Sequence, residues 1–225
     1  MGSYYRSQRR IYAKERESIF LIQRREGRSE RIYSEADEKG IYKTIKMAPV
    51  FFVRKKDEKK RMVQDYQYLN EWMVKNNYLL PLILDIVENI GTKKMFMKLD
   101  LRWGYNNMRI KEGDKWKAAF TIPEGSFEPT VMFFDLTNSS ATFQVMMNEI
   151  LRDLINTGKV ASFIDDVIVG TEEEEGYDEI VEEVIRRIEE NNLYVKPEKC
   201  KWKVREVGFL GVVIGKDGIK MEEEK

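Results

Sequence analysis

The sequence has no histidine and only one cysteine among its 225 residues. The lack of histidine excludes Ser-His and Cys-His catalytic pairs, His-ligated zinc and an imidazole general base. Cys200 has no second cysteine to form an intramolecular disulfide with, which suits a reducing compartment, and we expect it to be a packing residue. No run approaches the ~20 uncharged apolar residues of a membrane span, and the N-terminus lacks the apolar core of a secretory signal. We therefore expect an intracellular protein, with no membrane partner, whose chemistry uses carboxylates, lysines or hydroxyls.

The composition is typical of a folded protein. Apolar residues make up 42% of the chain and aromatic residues 12%, which is too much for a disordered protein. The length suits one large or two small domains.

Basic and acidic side chains are equal in number, 39 of each, but they are separated along the chain. Residues 43–61 hold eight lysines and arginines against two carboxylates, and residues 172–190 hold ten carboxylates against two arginines. The basic segment suits a phosphate-rich ligand, with the acidic segment on an outer helix. Two solvated faces would produce the same distribution, so charge alone leaves both interpretations open.

The first 47 residues are polar and rich in arginine, and they predict an arm that is partly helical around residues 11–25. From Pro49 onwards, apolar runs alternate with turn signals. These runs predict a cationic hairpin over residues 50–66, a helix from Pro81 to Gly91, a strand over 94–100 and two strands around residues 123–125. In the helix that Pro81 opens, the inward positions are Leu82, Ile83, Ile86, Val87 and Ile90.

The second half continues with a helix that Asn138 or Ser139 can cap and that Gly158 ends. An apolar hairpin over residues 160–169, an amphipathic helix ending near residue 191 and several short strands follow. This order of elements is typical of an α+β fold.

Three carboxylates are candidate metal ligands. Asp165 and Asp166 lie between two apolar strands, where adjacent carboxylates repel each other unless a cation is present. Aspartate is also common in turns, and for the pair alone this simpler explanation stays open. Asp100 ends another apolar strand, which would bring it beside Asp165 if the two strands are neighbours. Mg²⁺ prefers oxygen ligands, and two such ions about 3.5–4 Å apart support in-line phosphoryl transfer without histidine.

Six sequence blocks follow one another in a specific order: APVFFVRKKD (48–57), RMVQDYQYLN (61–70), KLDLRWGY (98–105), LTN with ATFQ (136–144), FIDD (163–166) and FLG (209–211). Each block is modest alone, but the six in this order form a specific pattern. Through them the chain, from about Ala48 to Lys225, closely resembles the fingers and palm of a reverse transcriptase from a gypsy-type LTR retrotransposon Pol polyprotein.

This resemblance implies an α+β right-hand polymerase fold in which helices back an antiparallel palm sheet and the thumb is truncated. It divides the chain into the arm, residues 1–47, and a fingers and palm domain, residues 48–225. The fingers would cover about 48–92 and 112–135, the palm about 93–111 and 136–215, and a thumb would begin at the C-terminus.

The resemblance also implies a role for individual residues. Asp100, Asp165 and Asp166 match catalytic carboxylates that bind two Mg²⁺ ions, for which Mn²⁺ can substitute. Among the nucleotide-binding positions, Tyr105 would exclude a 2′-hydroxyl and so select deoxynucleoside triphosphates. The full nucleotide-binding set is Lys55, Arg61, Leu101, Tyr105, Phe134 and Ile164, and the primer-gripping hairpin is Phe209, Leu210 and Gly211.

Three positions depart from the family pattern. Asp135 stands where the family has a glycine against the nucleotide, so we expect its carboxylate to repel a triphosphate and its side chain to strain the backbone. Ser140 replaces a proline at a helix start, and Leu79 replaces the first proline of a Tyr-Pro-Leu-Pro run.

The implied activity is RNA-directed DNA polymerization, a nucleotidyl transfer to a primer on an RNA or DNA template. In related full-length proteins the thumb, connection and RNase H belong to the same Pol polyprotein. The alternative is a non-catalytic remnant that binds template-primer without extending it, which Asp135 and the missing thumb favour. A third alternative is a structural protein that assembles through the arginine-rich arm, and only the composition of the arm supports it. The three aspartates together favour the polymerase.

Overall fold

The computed structural model describes residues 22–24, 47–54, 58, 60–216 and 218–222. These residues form two compact units. Unit 1 comprises the described residues of Asn76–Asn107 and Ser140–Lys225, and unit 2 those of Ile19–Lys75 and Met108–Ser139.

Both units combine strands and helices, and the sheets are mainly antiparallel, as the α+β prediction requires. In chain order they are β1 (Ile22–Arg24), β2 (Ala48–Arg54), β3 (Lys60–Gln64), α1 (Gln67–Trp72), α2 (Ile83–Gly91), β4 (Met95–Arg102), β5 (Phe120–Ile122), β6 (Gly125–Pro129), α3 (Ser139–Ile150), α4 (Arg152–Asn156), β7 (Val160–Phe163), β8 (Asp166–Thr171), α5 (Tyr177–Glu190), β9 (Tyr194–Val195), β10 (Lys201–Val204), β11 (Glu206–Phe209), β12 (Val212–Gly215) and β13 (Gly218–Met221). Short 3₁₀ turns cover Gly104–Asn107, Lys115–Ala118 and Pro197–Lys199.

Unit 2 is built on a five-stranded sheet in the order β1-β6-β5-β2-β3. Its β2–β3 pair is the predicted cationic hairpin, and β2 also runs parallel to β5. Tyr66 anchors the core under this sheet, where its hydroxyl donates a hydrogen bond of 2.8 Å to the Ala118 carbonyl.

One prediction in this unit is wrong at residues 22–24. They form a strand paired with β6, whereas the sequence predicted helix around 11–25. Backbone pairing with a neighbouring strand overrides a weak local helical preference. The rest of that range lies outside the described residues.

Unit 1 contains two antiparallel sheets, one in the order β10-β4-β8-β7 with β9 paired to β4, and one in the order β11-β12-β13. Helix α5 buries one apolar face, and two of its carboxylates pair with arginines on the same helix, Glu183 with Arg186 and Arg187 and Glu190 with Arg186. Glu182 and Glu190 are exposed, so the side of the helix that carries them faces solvent.

Helix α2 belongs to unit 1, and its assignment to the fingers stays a prediction. Ile86, Val87 and Ile90 join a buried cluster with Phe96, Ile168 and Phe209 of unit 1. Leu82 and Ile83, predicted to point inward, are 68% and 40% exposed, and the helix begins at Ile83, two residues after the predicted start at Pro81. A 3.6-residue period shows that one face is buried but not which element covers it.

Two further differences concern helix boundaries. The sequence predicted one helix up to Gly158, but the chain interrupts it at Leu151, between α3 and α4. At this interruption the Arg187 guanidinium donates a hydrogen bond of 3.0 Å to the Ile150 carbonyl and pairs with Asp153. Helix α1 was not predicted. None of the helices in the described ranges is long and apolar enough to span a bilayer.

Tyr177 at the start of α5 links this helix to the sheet. Its buried hydroxyl donates to the Phe96 carbonyl at 3.2 Å and accepts from the Lys203 amide at 2.8 Å. We expect Tyr177→Phe to lower the free energy of unfolding by about 1–3 kcal/mol, because the buried Phe96 carbonyl and the part-buried Lys203 amide both lose a partner. Urea denaturation measures the change, and Tyr194→Phe, at a partly exposed tyrosine, is the matched control. Equal effects in the two variants would contradict the assignment.

Candidate active site

The register between β4 and β8 brings the three candidate aspartates together. Asp100 is directly opposite Asp166 in this antiparallel pair, and the Leu101 amide donates a hydrogen bond of 2.7 Å to the Asp165 carbonyl. Residues directly opposite each other have Cα atoms only about 4.5–5.5 Å apart and share a face of the sheet. The convergence expected from the sequence is therefore present in the backbone.

The β7–β8 turn carries a strained residue. Ile164 has a φ of 54° whereas Asp165 does not have a positive φ, as in a type II′ turn. A positive φ is unfavourable for a β-branched side chain and persists only where the surroundings hold it.

Gln144 on α3 holds this turn in place. Its Oε1 accepts a hydrogen bond of 2.7 Å from the Ile164 amide, and its Nε2 donates one of 3.0 Å to the Ser162 carbonyl. Because β7 is at the edge of its sheet, the Gln144 amide pairs with it as a further strand would. Gln144 belongs to the ATFQ block of the sequence but had no predicted role. The available signal was a glutamine on the inward helical face that Met147 and Leu151 share.

The carboxylates face one another and three lysines. Burial raises the pKa of Asp165, and the nearby charges of Asp166 and Asp100 raise it further. Asp100 pairs with Lys196 and, at 3.3 Å, with Lys199, while Asp166 pairs with Lys98 at 3.2 Å. Lys98 belongs to the KLDLRWGY block, but none of these lysines had a predicted role. Lys196 is adjacent to β9, whose pairing with β4 only the fold determines.

The carboxylates of Asp100, Asp165 and Asp166 are chemically suitable ligands for a divalent cation. Carboxylate oxygens are the ligands that Mg²⁺ prefers, and a cation relieves the mutual repulsion that raises the pKa of Asp165. In the described ranges, however, no group of three His, Cys, Asp or Glu side chains could hold a metal ion in its present arrangement. The reason is local: the oxygens of Asp100 and Asp166 face ammonium groups, which a bound metal would have to displace.

Gly104 and Tyr105 lie against the same turn. A Cβ at Gly104 would be 3.2 Å from the Asp165 Cβ, so a side chain there would push on the aspartate. The Tyr105 ring packs edge-on against Phe143 with centroids 5.8 Å apart, and its hydroxyl hydrogen-bonds with the Ser140 hydroxyl at 3.2 Å. The serine that replaces the family's proline therefore holds the residue predicted to select the sugar.

The predicted primer grip forms a turn between β11 and β12. Leu210 and Gly211 both have positive φ, 52° and 83°, as in a type I′ hairpin turn. Phe209 is fully buried, so of the three residues only Leu210 and Gly211 are accessible to a ligand. The Lys98 ammonium, which pairs with Asp166, is 5.7 Å from the centre of the Phe209 ring.

The other predicted nucleotide contacts divide between the units. Leu101 is buried in β4 and Ile164 lies in the strained turn, both in unit 1. In unit 2 the Arg61 guanidinium is 5.3 Å from the centre of the Phe134 ring. Lys55 lies outside the described residues.

The prediction that Asp135 strains the backbone is wrong. Asp135 is not among the residues with positive φ, so this position does not need glycine for its conformation. The Asn70 side chain bridges the backbone here. Its Nδ2 donates a hydrogen bond of 2.8 Å to the Asp135 carbonyl, and its Oδ1 accepts one of 2.8 Å from the backbone N–H of Thr137. Desolvation raises the pKa of the Asp135 carboxyl, and Arg61 opposes this effect.

The raised pKa of Asp165 has a consequence for stability. The folded chain binds this proton more tightly than the unfolded chain, so stability falls as pH rises from the ordinary value of about 4 through the raised one. We expect Asp165→Asn to raise Tm at pH 7 in chelator-treated buffer, by roughly 2–4 °C for each kcal/mol of desolvation and repulsion removed. The gain should vanish at pH 3, where both forms are neutral. Scanning calorimetry tests this, with the exposed Glu182→Gln as control. A lower Tm at pH 7 would contradict a net cost of the buried Asp165 charge.

The two hydrogen bonds that Gln144 forms with β7 and its turn, the Gln144 bridge, lead to a second prediction. Gln144→Met keeps the length of the side chain but leaves the Ser162 carbonyl and the Ile164 amide unpaired. We expect a loss of about 2 kcal/mol in the free energy of unfolding. Urea denaturation measures this loss, and Gln67→Met, at an exposed position, should change stability by less than about 0.5 kcal/mol. A small effect at both positions would show that the bridge is not needed.

Comparison with known proteins agrees with this geometry. Residues 53–214 match the family model described as reverse transcriptase (RNA-dependent DNA polymerase). The Tf2-3 and Tf2-7 transposon polyproteins of Schizosaccharomyces pombe are 35% and 34% identical to the chain over 176 residues. These matches cover 78% of this chain and 13% of each polyprotein, so the chain spans about an eighth of the length of these relatives.

Solved structures show the same fold. The foamy viral protease-reverse transcriptase in complex with an RNA/DNA hybrid matches with a TM-score of 0.72 and 26% identity, over 78% of this chain and 23% of that one. A second foamy viral structure, in complex with double-stranded DNA, matches with a TM-score of 0.74 and 25% identity, over 85% of this chain and 32% of that one. The chain therefore has the polymerase fingers and palm fold and, since the family model covers most of its length, it belongs to the reverse transcriptase family.

Proposed function

We propose that this chain is the fingers and palm part of an RNA-directed DNA polymerase that transfers a deoxynucleotidyl group to a primer 3′-hydroxyl. The observation that carries the proposal is the β4–β8 register, with Asp100 opposite Asp166 and Asp165 in the adjoining turn. The polyprotein relatives support placing it within a longer Pol protein.

Asp100, Asp165 and Asp166 would hold two Mg²⁺ or Mn²⁺ ions. Such ions activate the attacking oxygen and stabilise the leaving oxygen of an in-line displacement. The fold itself positions these carboxylates, because Gln144 holds the turn that carries Asp165 and β4 holds Asp100. Lys196 and Lys199 keep positive charge beside Asp100, where the negative charge of a triphosphate could be balanced.

The substrate contacts follow from the fixed side chains. Ser140 and Phe143 hold Tyr105, so its ring would act as a rigid wall that rejects a 2′-hydroxyl and selects deoxynucleotides. Leu101 and Ile164 would flank the nucleotide, and Lys55, Arg61 and Phe134 would bind it from the fingers, with the guanidinium on the triphosphate. Leu210 and Gly211 would contact the primer end.

The nucleic-acid partner proposed is a template-primer duplex of RNA/DNA or DNA. The foamy viral neighbours were solved with an RNA/DNA hybrid and with double-stranded DNA. The exposed Arg54, Lys60 and Arg61 on the β2–β3 hairpin support phosphate binding. Each phosphate contact releases counterions, so affinity should fall steeply with salt.

A non-catalytic remnant is the second candidate, and Asp135 favours it. One oxygen of this carboxylate is buried without a hydrogen-bond partner in the described part of the chain, and Arg61 is one of the charges acting on it. Because the negative Asp135 carboxylate lies near Arg61, it would weaken the attraction between the Arg61 guanidinium and a triphosphate.

Primer extension on an RNA template with Mg²⁺ separates the two candidates. For a polymerase we expect the native chain to extend the primer and Asp165→Asn to lose at least about a hundredfold in rate, because several kcal/mol of charge stabilisation disappear. Glu182→Gln is the matched control for a lost surface carboxylate.

The remnant predicts duplex binding without extension by the native chain. If Asp135→Gly then restores extension, the carboxylate at 135 is the cause of inactivity and the polymerase site is intact. No extension by either form, with duplex binding retained, would exclude the polymerase for this chain.

A further inference from the structure

Both side-chain oxygens of Asp100 have a cationic partner in the fold. The Lys196 ammonium donates to Oδ1, and the Lys199 ammonium lies 3.3 Å from Oδ2. A Mg²⁺ ion ligated at about 2.0–2.1 Å from either oxygen would lie beside a group that is also positive. Like charges at so short a distance repel strongly. Asp100 can therefore ligate a metal ion only if an ammonium group moves away.

The two lysines differ in how strongly they hold Asp100. The side chains of Lys196 and Asp100 are 27% and 15% exposed, whereas that of Lys199 is 59% exposed. Water and salt weaken an exposed ion pair, and they weaken a partly buried one much less. The Lys196 ammonium also donates to the Leu101 carbonyl at 3.2 Å. Lys196 is therefore the stronger competitor for this carboxylate.

The backbone fixes Lys196 next to Asp100. Its amide donates a hydrogen bond of 2.8 Å to the Asp100 carbonyl, and its carbonyl accepts one of 3.0 Å from the Lys199 amide. Pro197 follows and favours an extended conformation at residue 196, which has a φ of −98° and a ψ of 98°. Because the backbone is held on both sides, the ammonium would leave Asp100 by rotation of the lysine side chain.

The lysines also match the carboxylates in charge. Lys98 pairs with Asp166 at 3.2 Å, while Lys196 and Lys199 pair with Asp100, so three ammonium groups face the three carboxylates of the site. A divalent ion that enters this balanced group adds an excess of positive charge. The electrostatic response is to release an ammonium from the carboxylate that the ion takes.

We propose that Lys196 is a displaceable counter-ion that sets the affinity of the aspartate site for divalent metal ions. A metal ion that binds Asp100 replaces the Lys196 ammonium there, and Lys199 contributes in the same way to a smaller degree. The inference rests on the proposed metal-dependent function, but it concerns the strength of metal binding and not the chemical step.

Mn²⁺ binding to the full chain, followed through the electron paramagnetic resonance signal of the free ion, tests the exchange. Asp100→Asn identifies the binding that belongs to this site, because it removes a ligand there and leaves other acidic surfaces unchanged. We expect Lys196→Met to bind Mn²⁺ at this site roughly tenfold more tightly than the wild type, since a charge-assisted hydrogen bond no longer has to be broken. Lys199→Met, at an exposed ion pair, should tighten binding by only about twofold to threefold.

Two controls separate competition at Asp100 from a change in net charge. Lys196→Arg keeps a cation on the carboxylate and should not tighten Mn²⁺ binding. Lys159→Met removes an exposed lysine that precedes β7, at the end of this strand away from the Asp165 turn. This variant should change the affinity by less than about twofold, because salt screens distant surface charges.

Thermal unfolding gives a second readout. In chelator-treated buffer we expect Lys196→Met to have a lower Tm than the wild type, because the Asp100 carboxylate loses its partner. The same concentration of Mn²⁺ should then raise the Tm of the variant more than that of the wild type, since a ligand stabilises the folded state according to its affinity.

The outcomes distinguish this inference from the proposed function. Unchanged or weaker Mn²⁺ binding by Lys196→Met, while the wild type shows Asp100-dependent binding, would overturn the inference and leave the proposed polymerase site intact. Equal tightening by Lys159→Met would also overturn it, because net charge would then be the cause. If neither the wild type nor Lys196→Met shows Asp100-dependent binding, the metal site and the inference both fail.

Discussion

The antiparallel pairing of β4 with β8 is the constraint on which the rest of unit 1 depends. Leu99, Leu101, Val167 and Val169 are fully buried on these strands, and between them the register sets Asp100 opposite Asp166. Because side chains alternate across a strand, a slip of one residue would turn this apolar set outward and carry the aspartate to the other face. The same burial that stabilises the sheet therefore determines where the carboxylates meet.

Bringing three carboxylates together has an electrostatic cost that the fold offsets from several directions. Lys98 comes from β4 itself, Lys196 follows β9, and Lys199 lies in the next 3₁₀ turn. Asp165, which has no such ion pair among the described residues, has the raised pKa. Asp165 is therefore the carboxylate whose negative charge is offset least by a neighbouring lysine. Its position also depends on a strained turn and on the Gln144 amide. Charge and conformation are thus coupled at one residue.

Much of this arrangement could be predicted from the sequence. Apolar runs before Asp100 and on both sides of Asp165 and Asp166 predicted the strands, and the resemblance assigned the family that the comparisons confirm. The strain expected at Asp135 was wrong because residue type alone does not reveal φ. The period of α2 predicted a buried face, but Ile86, Val87 and Ile90 are apolar in any context, and only the fold shows which neighbours cover them. The roles of the predicted site residues and the predicted domain boundaries stay predictions.

The sequence by itself determined the elements, the carboxylates and the family, because these depend on local periodicity and on short motifs. Only the tertiary structure decided that Gln144 closes the edge of β7, that Ser140 pairs with Tyr105, and that Lys196 faces Asp100. Each of these contacts joins residues that are 18 to 96 positions apart in the chain. A hydrogen bond or an ion pair needs its two groups within about 3 Å, and the packing of sheets and helices, which no local pattern encodes, is what brings such distant groups to that distance.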